Sequence, residues 1–110
     1  MLFRSTMDLP ESEKTNEGYK EVAQAGDGIT HLARRATGKW LTENTAGYEI
    51  TDEHKIYIED YIQNRLGSEG LMLGETRTVS FDMIAEAVEA AGELSEKQLQ
   101  NLSQYTYVFQ

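Results

Sequence analysis

The chain has 110 residues, enough for one domain with one modest core. Its 39% hydrophobic and 26% charged content is ordinary for a globular protein and excludes disorder throughout. The net charge of −9, from 19 acidic and 10 basic residues, disfavours binding to nucleic acid or anionic lipid.

Residues 1–18 are polar, contain the single proline (Pro10) and show no periodicity, so they read as a flexible arm. Met1–Asp8 lacks the apolar stretch of a secretory signal. Tyr19–Gln24 reads as a short strand, with Tyr19, Glu21 and Ala23 on one face. Ala25-Gly26-Asp27-Gly28 ends it in a turn. Ile29, Leu32, Ala33, Ala36, Trp40 and the adjacent Leu41 then recur at helical spacing. Asp27 or Gly28 is expected to cap that helix, Asp27 being the better acceptor. Arg34, Arg35 and Lys39 form its one basic cluster and are expected to face the acidic stretch Glu49–Asp60.

After a polar loop over Thr42–Gly47, Thr51 is placed to cap a second helix. Asp52 and Glu53 suit its positive end, and Ile58, Tyr61, Ile62 and Leu66 make its buried stripe. Gly67 is placed to end it. The loop Ser68-Glu69-Gly70 and the segment Leu71-Met72-Leu73-Gly74 lead to a second strand over Glu75–Ser80. Ser80 is expected to cap a third helix over Phe81–Ala91, ended by Gly92. Ser95 and Gln98 form a capping box that opens a short fourth helix, with Leu99 and Leu102 inward. Tyr105–Phe109 alternates and reads as a strand or an apolar tether.

The residue types of catalysis are present but not in working patterns. No cysteine exists, which excludes disulfides and thiolate chemistry. His31 and His54 have no second ligand at metal-binding spacing, so both read as structural or exposed. Asp52/Glu53 and Glu59/Asp60 are sequence neighbours and do not share a helix face. Ser68, Ser80, Ser95 and Ser103 fall in turns or caps, outside any nucleophile elbow. Gly26 and Gly28 lack the third glycine of a dinucleotide-binding loop, since His31 stands there. The chain therefore reads as a non-enzyme without metal or cofactor, and no apolar run is long enough to span a membrane. Among the aromatic residues, Trp40 reads as core and Tyr57 as exposed.

Val22-Ala23-Gln24-Ala25-Gly26-Asp27-Gly28-Ile29-Thr30-His31-Leu32-Ala33 resembles the opening of a LysM domain, a strand ending in Gly-Asp before a helix. Leu71-Met72-Leu73-Gly74-Glu75-Thr76-Arg77-Thr78-Val79 resembles its close. The resemblance implies an α+β fold, βααβ, with two helices on one side of a two-stranded antiparallel sheet. It places a LysM-like module over residues 19–80, after the arm, and a C-terminal helical extension over 81–110. It also implies binding of N-acetylglucosamine-containing cell-wall glycan, peptidoglycan or chitin-like, and a setting in the cell envelope or outside the cell. The glycan groove would lie between Gly26, Asp27, Gly28, Ile29 and Thr30 on one side and Leu71, Met72 and Leu73 on the other. Gly28 stands where the family usually has threonine or serine, and Asn64 is the nearest match to its asparagine-rich second-helix end. The stretch Tyr19–Val79 is longer than an ordinary module and covers just over half the chain. The alternative is a protein-interaction or structural subunit of a larger assembly, suggested by the apolar Tyr105–Phe109 and the polar arm. An acidic mimic of nucleic acid ranks below both, because the charge is spread along the chain.

Overall fold

The computed structural model describes residues 11–67 and 70–109; the first half of the arm, Ser68, Glu69 and Gln110 lie outside them. The protein is of mixed α+β class. Its strands are β1 (Glu13–Lys14), β2 (Gly18–Val22) and β3 (Thr76–Ser80), and its helices are α1 (Ile29–Glu43), α2 (Asp52–Leu66), α3 (Phe81–Gly92) and α4 (Glu96–Leu102). A 3-10 segment, Ser103–Phe109, closes the described chain. The three strands form one antiparallel sheet in the order β1-β2-β3. Gly18 pairs with Ser80 at one end of the central ladder and Val22 with Thr76 at the other.

β1 lies within the segment expected to be a flexible arm. It pairs Glu13 with Lys20 and Lys14 with Tyr19. The turn between β1 and β2 is closed by Thr15, whose Oγ1 donates to the Gly18 carbonyl and accepts from the Glu17 and Gly18 amides. Two paired residues cannot display an alternating pattern, so the sequence carries no periodic signal for this strand.

Tyr19 and Glu21 share one face of β2 by alternation, Ala23 follows just past its end, and all three are buried. Tyr19 and its ladder partner Val79 join Ala33 and Ala36 of α1, Ile58 and Ile62 of α2, and Ile84, Ala87, Val88 and Ala91 of α3 in one core. α3 thus completes the core that β2, α1, α2 and β3 begin. The loop between α1 and α2 is fastened to α3 by Tyr48, whose O–H donates to the Val88 carbonyl at 2.5 Å. Trp40 and Tyr57 are half-buried and pack on the core margin; Tyr57 was expected to be exposed. The stripe of α2 is likewise graded: Ile58 and Ile62 are fully buried, whereas Tyr61 and Leu66 are half-buried.

Local chemistry accounts for the helix starts. The hydroxyls of Ser80 and Ser95 accept from the amides of Met83 and Gln98, and the Ser95 amide in turn donates to Gln98 Oε1. At α2, the His54 amide donates to Thr51 Oγ1, while the Thr51 amide donates to His54 Nδ1 at 3.0 Å. At α1 the cap is Gly28, not Asp27, and its amide donates to His31 Nδ1 at 3.0 Å. Both histidines thus occupy the third helical position and act as acceptors for the cap amide.

That role requires an unprotonated Nδ1. Burial holds His54 below its ordinary value of 6.5, against the opposing charge of Glu53. The folded state therefore binds fewer protons than the unfolded chain, and this contribution is full above pH 6.5 and declines as pH falls below it. We expect urea midpoints to fall between pH 7.5 and pH 5.5, and His54→Gln to flatten that decline because glutamine keeps the capping bond without titrating. An equal decline in both proteins would show that His54 is not its source.

Of the two readings of Tyr105–Phe109, strand or apolar tether, the strand is corrected: the segment is 3-10 helix. It runs on from α4, and the Thr106 hydroxyl donates to the Ser103 carbonyl three residues back. Thr106 is buried, and the tail packs on α2, where it finds no strand to pair with. Its Phe109 ring lies 5.1 Å from the Arg34 guanidinium and 5.5 Å from the Lys55 ammonium.

Candidate functional site

Two turns meet at the end of the sheet where β2 stops and β3 begins, and they are built alike. In the first, Gln24-Ala25-Gly26-Asp27, the Asp27 amide donates to the Gln24 carbonyl and the Gln24 amide donates to Asp27 Oδ2, both at 2.9 Å. In the second, Met72-Leu73-Gly74-Glu75, the Glu75 amide donates to the Met72 carbonyl at 3.0 Å and the Met72 amide donates to Glu75 Oε1 at 2.6 Å. The third position requires positive φ, and glycine supplies it in both: 84° at Gly26 and 88° at Gly74. Ala23 ties the turns together, its amide donating to the Glu75 carbonyl and its carbonyl accepting from the Gly74 amide.

A buried charge cluster braces the first turn from below. The Glu21 side chain is fully buried and accepts from Lys39 Nζ at 2.7 Å and Ser12 Oγ at 3.2 Å, with Arg35 Nε at 3.5 Å. Arg35 reaches further, donating to Asp27 Oδ2 at 2.8 Å and to the Val22 carbonyl at 3.0 Å. Burial acts to raise the Asp27 pKa. The hydrogen bonds from Arg35 and the Gln24 amide, with the charge of Arg35, overcome this and hold the carboxyl below its usual range. The basic cluster is thus divided. Arg34 pairs with Glu59 of α2 in a two-pronged bond of 2.9 and 3.0 Å, as expected for that acidic stretch. Arg35 and Lys39, one helical turn apart, face the sheet instead.

The eight candidate glycan residues do not all present side chains to solvent. Met72 and Leu73 are 74% and 59% exposed, large values for apolar side chains within a hydrogen-bonded turn. Gly26 is exposed, while Asp27, Gly28, Thr30 and Leu71 are half-buried. Ile29 is buried. Thr30 turns towards α2, its hydroxyl donating to Gln63 Oε1 at 2.7 Å. It also lines a separate groove of about 440 Å³ between α1, α2 and the tail, with Asp60, Tyr105 and Tyr107 among its walls. The arrangement therefore offers a fixed pair of polar turns with two apolar side chains at its rim. Glu21, Arg35, Lys39 and Glu75, which hold the turns in place, were not singled out by sequence reasoning as parts of this site. One signal was available: an acid on the buried face of a strand demands a partner.

Among the described residues, no three histidine, aspartate or glutamate side chains are grouped as metal ligands. No helix among them is long and apolar enough to cross a membrane. No protein-family model matches the chain, and neither a curated protein nor a solved structure is matched by it.

Proposed function

We propose that this chain is a non-catalytic LysM-like binding module whose paired turns take an N-acetylglucosamine-containing cell-wall glycan. The observation that carries the reading is the order β2, α1, α2, β3 with antiparallel pairing of the two strands, which brings the Gly26 and Gly74 turns side by side. Sugars are bound by fixed backbone polar groups together with apolar cover, and these turns supply both. Met72 and Leu73 are placed to cover an acetamido methyl, and the Gly26 turn leaves the backbone open beside them. Such a module docks whatever it belongs to onto the cell envelope.

Retention of the folded chain on peptidoglycan sacculi or chitin beads tests this. The wild type is expected to be retained, and Met72→Ser combined with Leu73→Ser to pass through. Both side chains are exposed, so each substitution should change stability by no more than about 0.5 kcal/mol. A folded wild type that neither polymer retains would contradict the reading.

A second reading, a protein-interaction or structural subunit, rests on the tail. Tyr105, Tyr107 and Val108 are 51%, 70% and 41% exposed and stand together beside the groove on α2. Sedimentation that is independent of concentration would count against self-assembly through it.

A further inference from the structure

We infer that the face running along Phe81, Trp40 and Tyr48 docks a lysine- or arginine-rich peptide segment. It stands apart from the paired turns and does not depend on the glycan reading. Three cavities of about 550, 300 and 310 Å³ follow one another there; the first two share Phe81 as a wall, and the last two share Trp40. Of their aromatic walls Tyr19 is buried, but Phe81, Trp40 and Tyr48 are only half-buried, so ring surface remains open to a ligand.

The charge along this face is one-sided. Glu17 and Asp82 stand at one end, Glu43 in the middle, and Glu89 and Glu93 at the other. Glu17, Asp82, Glu89 and Glu93 make no ion pair among the described residues. Lys14 is the one cation lining the three cavities among the described residues, and it displays the chemistry the face selects. Its ammonium lies 5.7 Å from the Phe81 ring centroid and 3.1 Å from the Glu43 carboxylate. An aromatic face combined with a carboxylate is the pairing that holds ammonium and guanidinium groups.

Other ligand classes fit less well. An anionic ligand meets five carboxylates and one ammonium. An apolar segment would strip water from those carboxylates without pairing them. A basic segment places its cations between rings and acids and its stems against the apolar walls.

The test titrates hexalysine into the full chain and reads Trp40, the single tryptophan, by fluorescence. A saturable change is expected, weakening as salt is raised. Glu89→Gln with Glu93→Gln should weaken it about tenfold, since it removes two facing charges. Asp60→Asn with Glu96→Gln removes the same charge elsewhere on the surface and should leave it unchanged. All four positions are exposed, so neither pair should affect folding. Equal loss in both pairs would reduce the effect to diffuse attraction by the net charge and overturn the proposal. So would no saturable change, binding of hexaglutamate at similar affinity, or self-association of the chain that hexalysine fails to reverse.

Discussion

Replacing Ile62 by alanine is expected to lower the unfolding free energy by about 3 kcal/mol and the melting temperature by on the order of 15 °C. Ile62 is fully buried on the stripe of α2, in the core that α1, the sheet and α3 share. Cutting it back removes apolar burial and leaves a cavity that three packed helices cannot readily close. Met72→Ala, at a side chain 74% exposed, is the matched control and should shift the urea midpoint little. If the two variants proved equally stable, α2 would not be packed as described. The result bears on function because α2 lies between the two strands in the chain, and its packing sets where the second turn meets the first.

The second large effect concerns the charges under the first turn. Glu21→Gln should cost about 2 kcal/mol, less than the roughly 3–5 kcal/mol of breaking a fully buried pair. The discount reflects Arg35 and Lys39, whose side chains are 33% and 42% exposed and can regain water once the carboxylate is gone. Urea denaturation gives the magnitude, and hydrogen exchange gives the location. The Gln24 and Asp27 amides, bonded within the turn that Arg35 braces, should lose more protection than the α3 amides. A loss below about 0.5 kcal/mol, with the turn still protected, would mean that water reaches Glu21 and that the brace is not structural.

The helices were legible because periodicity and caps agree. Thr51, Ser80 and Ser95 each cap the helix they were expected to open, and Gly67 ends α2. The turn at Ala25–Gly28 was legible too, but its internal design was not. Asp27 or Gly28 was expected to cap α1, with Asp27 the better acceptor; Gly28 is the cap, and Asp27 bonds backwards to the Gln24 amide, where Arg35 holds it. A carboxylate after a positive-φ glycine can close either way, and a long-range partner decides between them. The tail misled because Tyr105, Tyr107 and Phe109 alternate as strand residues do. Alternation becomes a strand only beside a free sheet edge, and this segment packs on a helix. The histidine caps were missed because the usual residue at that position is glutamate or glutamine, whereas any side-chain acceptor of the right reach serves.

The pairing of the two turns was the least visible feature. Gln-Ala-Gly-Asp and Met-Leu-Gly-Glu share a pattern of glycine followed by an acid, at positions 24–27 and 72–75. Only the register of β2 against β3 shows that Ala23 bonds to the second turn. The proposed glycan site rests on that juxtaposition, and a titration observed residue by residue tests it most directly. With chitotetraose added to the isotopically labelled chain, amide shifts should concentrate at Gln24–Gly28 and Leu71–Glu75, leaving Tyr105–Phe109 and the Phe81–Trp40 face unmoved. No saturable shift in either turn, while the spectrum remains that of a folded protein, would contradict the glycan account.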